Sequence, residues 1–287
     1  LFLIDDLLRR CTFPPAGTAV SCAVSGGPDS MALMLLAHAH GLIVTAIHVD
    51  HGLRTESASD IDVIDPVAES LGISVIVHTV QVEHGPNLEA RARAARYGVM
   101  PDDVMTGHTA DDQAETVLIN LLRGAGAQGL GAMRPGFSRP LLALRRSDTH
   151  AVCANAGIAT ITDSTNTDPK FQRNRVRNEL LPLMTEISLR DPVPLLVRSA
   201  DVLRDDNDLL EELALNIDPT DAVALAAAPA PLARRALRRW LSDPYPPDLA
   251  TLERIMAVAR GETLACDIGE NREIRRSKQR LILQLLG

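Results

Sequence analysis

TAVSCAVSGGPDSMALMLL, residues 18–36, is the stretch on which the fold turns. Its first part, Thr18–Ser25, is a short run of small and branched residues, the make-up of a buried strand. From Met31 onward the chain is apolar at almost every position and helix-forming. Between the two, Ser25-Gly26-Gly27-Pro28-Asp29-Ser30 must turn strand into helix within a few residues. Such a turn lies at the C-terminal edge of a parallel sheet, where open α/β sheets bind their ligands. Two glycines let the backbone approach an oxyanion with no side chain in the way, and free N–H groups at the helix start point at a phosphate. Pro28 suits the first helical turn, where its missing N–H costs nothing. The lysine and hydroxyl residue of a Walker A loop are absent, and an acid, Asp29, occupies the tip. An acid beside phosphates implies a metal ion. Taken alone, the segment reads equally well as a Gly-Gly turn capped by Ser25 or Ser30.

The pattern continues outward. Thr18–Ser25, Leu42–Asp50, Ile73–Val80 and Asp103–Gly107 are expected strands, and Ser30–His40, Ala58–Leu71, Asn87–Met100 and Asp111–Leu122 are expected helices. Pro66 calls for a kink or a late start in the second of these. The alternation predicts an α/β fold with a parallel, doubly wound sheet. Prolines at 182, 192 and 194 mark a change of pattern, so residues 1–185 are expected to form this domain and 186–287 a smaller, mainly helical α+β domain. Ala222–Arg260 is Ala-, Leu- and Arg-rich and expected helical; Glu262–Leu286 carries turn signals and short apolar runs that suit strands.

With 46% apolar and 23% charged residues the chain is of ordinary globular composition. A net charge of −8 excludes a surface coated in positive charge, so contact with nucleic acid must come from local patches. Arg234, Arg235, Arg238 and Arg239 form one candidate, and Arg272, Arg275, Arg276, Lys278 and Arg280 another; each alone reads more readily as a solvated face. Aromatic residues make up 2%, too few for a base-stacking sheet. Cys11, Cys22, Cys153 and Cys266 contain no CxxC pair and read as buried thiols of a reducing cytosol. No apolar run is long enough to span a membrane and no signal-peptide pattern opens the chain, so the expected location is cytoplasmic and no membrane partner is expected. Leu1 in place of Met leaves room for residues upstream.

Further motifs lie where a sheet of this kind would gather them. His48-Val49-Asp50-His51-Gly52-Leu53-Arg54 ends the second strand; His48 reads as a core residue, His51 and Arg54 as functional. On the helix Asn87–Tyr97, Arg93 and Arg96 share a face, suited to phosphate or RNA, or simply to solvent. In Gly107-His108-Thr109-Ala110-Asp111-Asp112-Gln113-Ala114-Glu115-Thr116, Asp112 and Glu115 stand three apart on one helical face and suit a cation. Thr109 with Asp112 also has the spacing of a capping box, and the two roles are compatible.

The loop resembles that of the PP-loop, or N-type ATP pyrophosphatase, superfamily. In order along residues 20–185, the loop, HVDHGLR, EARARAARY, GHTADDQAET, Arg123–Gly126 with Gly129–Met133, Arg139–Leu142, Asp163–Asn166 and Phe171–Asn178 together resemble the tRNA(Ile)-lysidine synthetases, in a short form. The resemblance implies ATP and Mg²⁺ as cofactors, and L-lysine and the tRNA(Ile) with CAU anticodon as partners. ATP would adenylate O2 of the wobble cytidine, and lysine would then attack C2 and expel AMP. It further implies that Ser25, Gly26, Gly27, Pro28, Asp29 and Ser30, with Val49 and His51, bind ATP, Asp29 lying near Mg²⁺. Asp112 and Glu115 would hold lysine. Asp29, Arg93, Asp112 and Arg175 would be catalytic, and Arg96, Arg173 and Arg177 would meet phosphate or tRNA. Only Gly98–Pro101 separate Tyr97 from the expected fourth strand, where that family has a longer connection. Oligomeric state, homodimer or otherwise, is not written in the sequence.

Two other readings share the loop. A PP-loop tRNA thiolase would use the same activation with a sulfur nucleophile and would be expected to bring paired cysteines. A non-catalytic ATP-binding regulator would use the fold as a sensor.

Overall fold

The computed structural model describes residues 2–50, 60–80, 88–161 and 168–286. In β1 (Ala19–Ala23) and β2 (Ile43–Asp50) side chains alternate between two apolar layers, as the period of two in a strand demands. Val20, Cys22, Val24, Val44 and Ala46 enter one core, while Ala23, Ile47 and Val49 enter another with Val80 and Val104. A sheet buried on both faces needs helices on both, which is the doubly wound arrangement. β3 (Ser74–Thr79) completes a parallel sheet of order β1-β2-β3.

Around it, α1 (Phe2–Arg10) precedes the sheet and α2 (Pro28–Ala39) follows the loop directly, with Pro28 as its first residue. α2 buries Met31, Ala32, Leu33, Met34, Leu36 and Ala37, which explains a helix apolar nearly all round. α3 (Ile61–Ser70) runs through Pro66 without ending there, and α4 (Leu88–Gly98) follows β3.

The expected fourth strand at 103–107 contracts to one residue. Met105 bridges to Cys22 in parallel, its N–H donating to Ser21 O at 2.8 Å and its carbonyl accepting from Ala23 at 2.9 Å. The pairing with β1 is confined to this residue, and the next N–H, that of Thr106, faces the other side of the chain and donates to Ser138 O at 2.9 Å.

From there α5 (Ala110–Leu122), the short α6 (Ala127–Leu130), α7 (Arg146–Asn155) and α8 (Gln172–Arg175) follow. A π-helical turn, Val176–Leu180, links α8 to α9 (Leu181–Ser188); Leu181 N–H reaches back to Val176 O. Pro182, lacking an N–H, cannot restore the α-helical ladder at the next step.

The chain divides into two compact units, Leu1–Asp201 and Val202–Gly287, inside the long helix α10 (Val193–Ala214). This boundary lies later than the 185/186 read from the prolines. Val193, Leu196 and Val197 pack with Ala114, Leu118 and Leu181, so the start of α10 joins the first core, and Pro192 and Pro194 stand at a helix start.

The second unit holds α11 (Ala222–Ala227), α12 (Ala230–Trp240), α13 (Leu249–Arg260) and an antiparallel sheet of β4 (Ala265–Gly269), β5 (Arg272–Ser277) and β6 (Arg280–Leu285). Leu225, Leu237, Ile255 and Ile274 are at its core. Both hairpins turn through two residues of positive φ, Glu270-Asn271 and Lys278-Gln279, the geometry that matches strand twist.

Candidate active site

The loop closes on itself. Ser25 N–H donates to Ser30 Oγ at 3.0 Å, and the Ser30 hydroxyl donates to Gly27 O at 2.9 Å. Gly26 has φ +77°, a conformation that favours glycine, and a Cβ there would stand 2.5 Å from the terminal methyl of Ile161, which would have to turn aside. The serines hold the turn, and no side chain caps the N–H groups at the start of α2, the arrangement that a phosphate cradle requires. Gly107 is a second close approach, since a Cβ there would lie 2.5 Å from the carbonyl oxygen of Asp29. This glycine lets the segment entering α5 lie against the loop.

α5 then distributes its polar residues by face. Thr109 N–H donates to Asp112 Oδ2 at 2.9 Å, the capping box read from sequence. Gln113 exchanges two 2.9 Å hydrogen bonds with the backbone of Met133, and Asn120 donates to Gly129 O at 2.7 Å, which docks the glycine-rich segment 124–133 onto the helix. Asp111 takes a bidentate bond from Arg145, both contacts at 3.0 Å, and another from Arg146 N–H at 2.8 Å. Burial is the strongest influence on Asp111 and raises it, but these bonds hold its pKa below the ordinary carboxylate value. The adjacent acids thus part company: Asp111 anchors the start of α7 and Asp112 faces the site.

Asp112 and Glu115 are both buried, Glu115 completely. Arg146 Nη2 lies 3.2 Å from Asp112 Oδ1 and 3.3 Å from Glu115 Oε1, and its Nε lies 3.6 Å from Asp29 Oδ2. Arg177 reaches Glu115 at 2.7 Å and Asp112 at 3.6 Å; Arg173 reaches Glu115 at 3.4 Å and donates to Thr116 Oγ1 at 2.9 Å. Three carboxylates from α2 and α5 so meet three guanidiniums from α7, α8 and the π turn. Burial raises Asp112 most, yet Arg146, the Thr109 N–H, His108 and Arg173 together keep its pKa below the ordinary value. For Asp29 burial prevails, and its pKa is raised despite the Thr149 hydroxyl that donates to it and despite Arg146.

Arg146 was not among the residues singled out from the sequence. Leu141 and Leu144 are completely buried, and Leu144 O accepts from Ala110 N–H at 2.8 Å, so the segment 140–144 seats the arginines that follow it beside α5. Of the expected site residues, Asp29, Asp112, Glu115, Arg173 and Arg177 are brought together. Arg175 is not. It is exposed and holds Glu179 at 2.8 Å, one helical turn on, so it points away from the carboxylates that its neighbours reach. The Val49 side chain is buried in the core with Ile47 and Val80, which leaves only its backbone for a ligand. His48 is likewise buried, its Nδ1 2.9 Å from Val24 O. Arg96 is exposed near the end of α4. His51, Arg54 and the Asp163–Asn166 segment lie outside the described residues, as does the side chain of Arg93.

Asp29 suits a magnesium ion carried by phosphates, for which one or two carboxylates are the usual protein share. Among the described residues no group of three or more His, Cys, Asp or Glu is arranged to hold a metal by itself. Burial pushes the Cys22 thiol up to about 12, and does the same for Cys11 and, to about 11, for Cys153, so these sulfurs stay protonated and weakly nucleophilic. No helix among the described residues is long and apolar enough to cross a membrane.

Residues 6–184 match the PP-loop domain family and residues 221–282 the TilS substrate binding domain family. The tRNA(Ile)-lysidine synthase of Mycolicibacterium paratuberculosis is 43% identical over 234 residues, covering 76% of this chain and 73% of its own. That of Thermobifida fusca is 38% identical over 286 residues, 90% of this chain and 88% of its own. In fold, the first of the similar solved structures is a U34-tRNA thiolase of Methanococcus maripaludis, with a TM-score of 0.57 over 71% of this chain and 80% of its own, at 16% identity. The loop, the ordered motifs and two family matches that together take in most of the chain lead to one assignment: the chain belongs to the tRNA(Ile)-lysidine synthase family of PP-loop enzymes.

Proposed function

We propose that this chain joins L-lysine to C2 of the wobble cytidine in the tRNA(Ile) with a CAU anticodon, at the expense of ATP. The observation that carries the reading is the buried Asp112–Glu115 pair, set one arginine away from Asp29 at the start of the loop helix. A pocket selective for a cationic amino acid needs carboxylates that bind an ammonium, and activation needs a phosphate seat within reach of them.

In the first step the cytidine O2 attacks the α-phosphorus of ATP and pyrophosphate leaves. The loop residues Ser25–Ser30 would hold the departing phosphates through the N–H groups at the start of α2. A Mg²⁺ ion bound with ATP would neutralise phosphate charge beside Asp29. In the second step a lysine amine attacks C2, the C2–O2 bond breaks and AMP leaves carrying that oxygen; the amine loses its proton as the C–N bond forms. Asp112 and Glu115 would hold the amino acid, and Arg173 and Arg177 would offset charge at the α-phosphate. The base must leave its stack to be reached. The second unit, through its TilS-type segment, would present the tRNA, and the chain would act in the cytoplasm.

Radiolabelled lysine, ATP–Mg²⁺ and the CAU-anticodon tRNA test this directly. Label is expected in the tRNA, dependent on ATP. An intact, folded chain that transfers none would sink the synthase reading, and the absence of any tRNA-dependent pyrophosphate release would favour an ATP sensor instead.

A further inference from the structure

The pair assigned to lysine already holds a cation. Arg146 Nη2 sits between Asp112 Oδ1 and Glu115 Oε1, at 3.2 and 3.3 Å, where an ammonium shared by the two carboxylates would have to lie. Within the cluster Asp29, Asp112 and Glu115 stand against Arg146, Arg173 and Arg177, and beside it Arg145 is shared between Asp111 and Asp191. A lysine ammonium entering this arrangement gains little, because each carboxylate is satisfied and the nearest charge it meets is a guanidinium.

Of the three arginines, Arg146 is the one that also reaches the loop. Its Nε stands 3.6 Å from Asp29 Oδ2, while Arg177 and Arg173 are held on Glu115 at 2.7 and 3.4 Å, Arg173 also by Thr116. Its backbone is fixed: Arg146 N–H donates to Asp111 at 2.8 Å, and Arg145 clamps the same carboxylate. With the backbone so held, a change of partner by the guanidinium is a rotation of the side chain alone. A triphosphate in the Ser25–Ser30 loop offers it charge-assisted acceptors equivalent to those it would leave.

We infer that Arg146 is a positioning residue that couples the two substrates: it occupies the Asp112–Glu115 pair until ATP draws it toward the phosphates, and only then do the carboxylates accept the lysine ammonium. This rests on the lysine reading given above. The consequence is ordered use of substrates. Lysine would be excluded from a site lacking ATP, and by reciprocity bound lysine would tighten ATP.

The test is calorimetric titration of the full chain with L-lysine, with and without Mg²⁺ and an ATP analogue carrying a methylene between the α and β phosphorus atoms. The wild type is expected to bind lysine at least about tenfold more tightly with the analogue, within the usual coupling range of roughly 5–150-fold. Arg146→Gln removes the competing cation, so lysine should bind without the analogue and the dependence should vanish. Arg146→Lys keeps a cation on the pair and should keep the dependence. A merely structural arginine would instead lower lysine affinity equally in both conditions on substitution. Equal lysine affinity of the wild type with and without the analogue overturns the inference while leaving the lysine site standing, and it needs no variant to fold. Absence of lysine binding in both conditions overturns the lysine reading and this inference with it.

Discussion

Asp29 and Asp112 carry the same side chain, lie on either side of one arginine and are shifted in opposite directions. Asp112 has a lowered pKa in the folded chain, so its ionisation favours folding at pH above the unfolded value of 3.8 and that contribution is lost as the pH falls through the lower, folded value. Asp29 has a raised pKa, so its ionisation opposes folding once the pH rises above 3.8, and the penalty is complete above its folded pKa. At neutral pH, Asp112→Asn is thus expected to cost about 1.5–3 kcal/mol, the worth of hydrogen bonds to a charged group. Asp29→Asn should be neutral or stabilising. Denaturant unfolding of both variants at pH 7 checks the pair of signs; destabilisation of similar size in both would contradict the electrostatic account. In turnover the two should separate again, with Asp112→Asn raising the KM for lysine far more than that for ATP. An unchanged KM for lysine would remove Asp112 from the lysine site.

At the scale of elements, the site depends on how closely α2, α5 and α7 approach one another, and two small features govern that approach. Gly107 is needed because its neighbour is the Asp29 carbonyl at 2.5 Å from any Cβ, a backbone atom that cannot rotate away. Gly107→Ala should displace the loop from α5 and lower kcat by roughly 10²-fold if the shift nears 1 Å, with global stability far less affected. Activity within a few-fold of wild type would show that the contact does not set the loop. Asp111→Ala should release the Arg146 backbone and leave Arg145 on Asp191 alone, with loss of the lysine–ATP coupling measured by titration but retention of the loop's affinity for ATP. The sequence made the strand–loop–helix and the Asp112–Glu115 face legible because both follow from local periodicity. It did not reveal Arg146, since what brings α7 to α5 is the burial of Leu141 and Leu144 and the bonds that Arg145 and Arg146 make to Asp111, all tertiary. The same holds for Arg175: equal spacing in 173, 175 and 177 hides that only 173 and 177, a helical turn apart, share the inward face. The strand expected at 103–107 is present only as the bridge of Met105 to Cys22, a length that depends on pairing with a distant segment and not on local periodicity.

Over the whole molecule the balance of charge bears on how a polyanion is bound by a chain of net charge −8. The arginine patches legible in the second unit are largely engaged locally: Arg234 with Glu253 at 2.6 Å, Arg235 with Glu211 at 3.1 Å, Arg275 with Glu273 at 3.2 Å, Arg280 with Asp218, and Arg276 with the Ala259 carbonyl at 2.8 Å. An arginine already paired contributes less to a phosphate, because the bond to be made replaces one to be broken. Phosphate contacts should therefore be few, and tRNA affinity should fall only gently with salt, since the slope of log K against log salt follows the number of phosphates neutralised. Within α12, Arg238 is exposed on the face opposite the buried Ala233, Ala236 and Leu237, which makes it the sharpest probe of this view. Arg238→Ala is expected to weaken tRNA binding, to reduce the salt slope by about one and to leave ATP binding untouched. Filter binding of the CAU-anticodon tRNA across a salt series, beside nucleotide titration of the same variant, measures all three. A steep slope that Arg238→Ala does not change would mean that the local ion pairs open on binding, and that the paired arginines rather than Arg238 carry the contact.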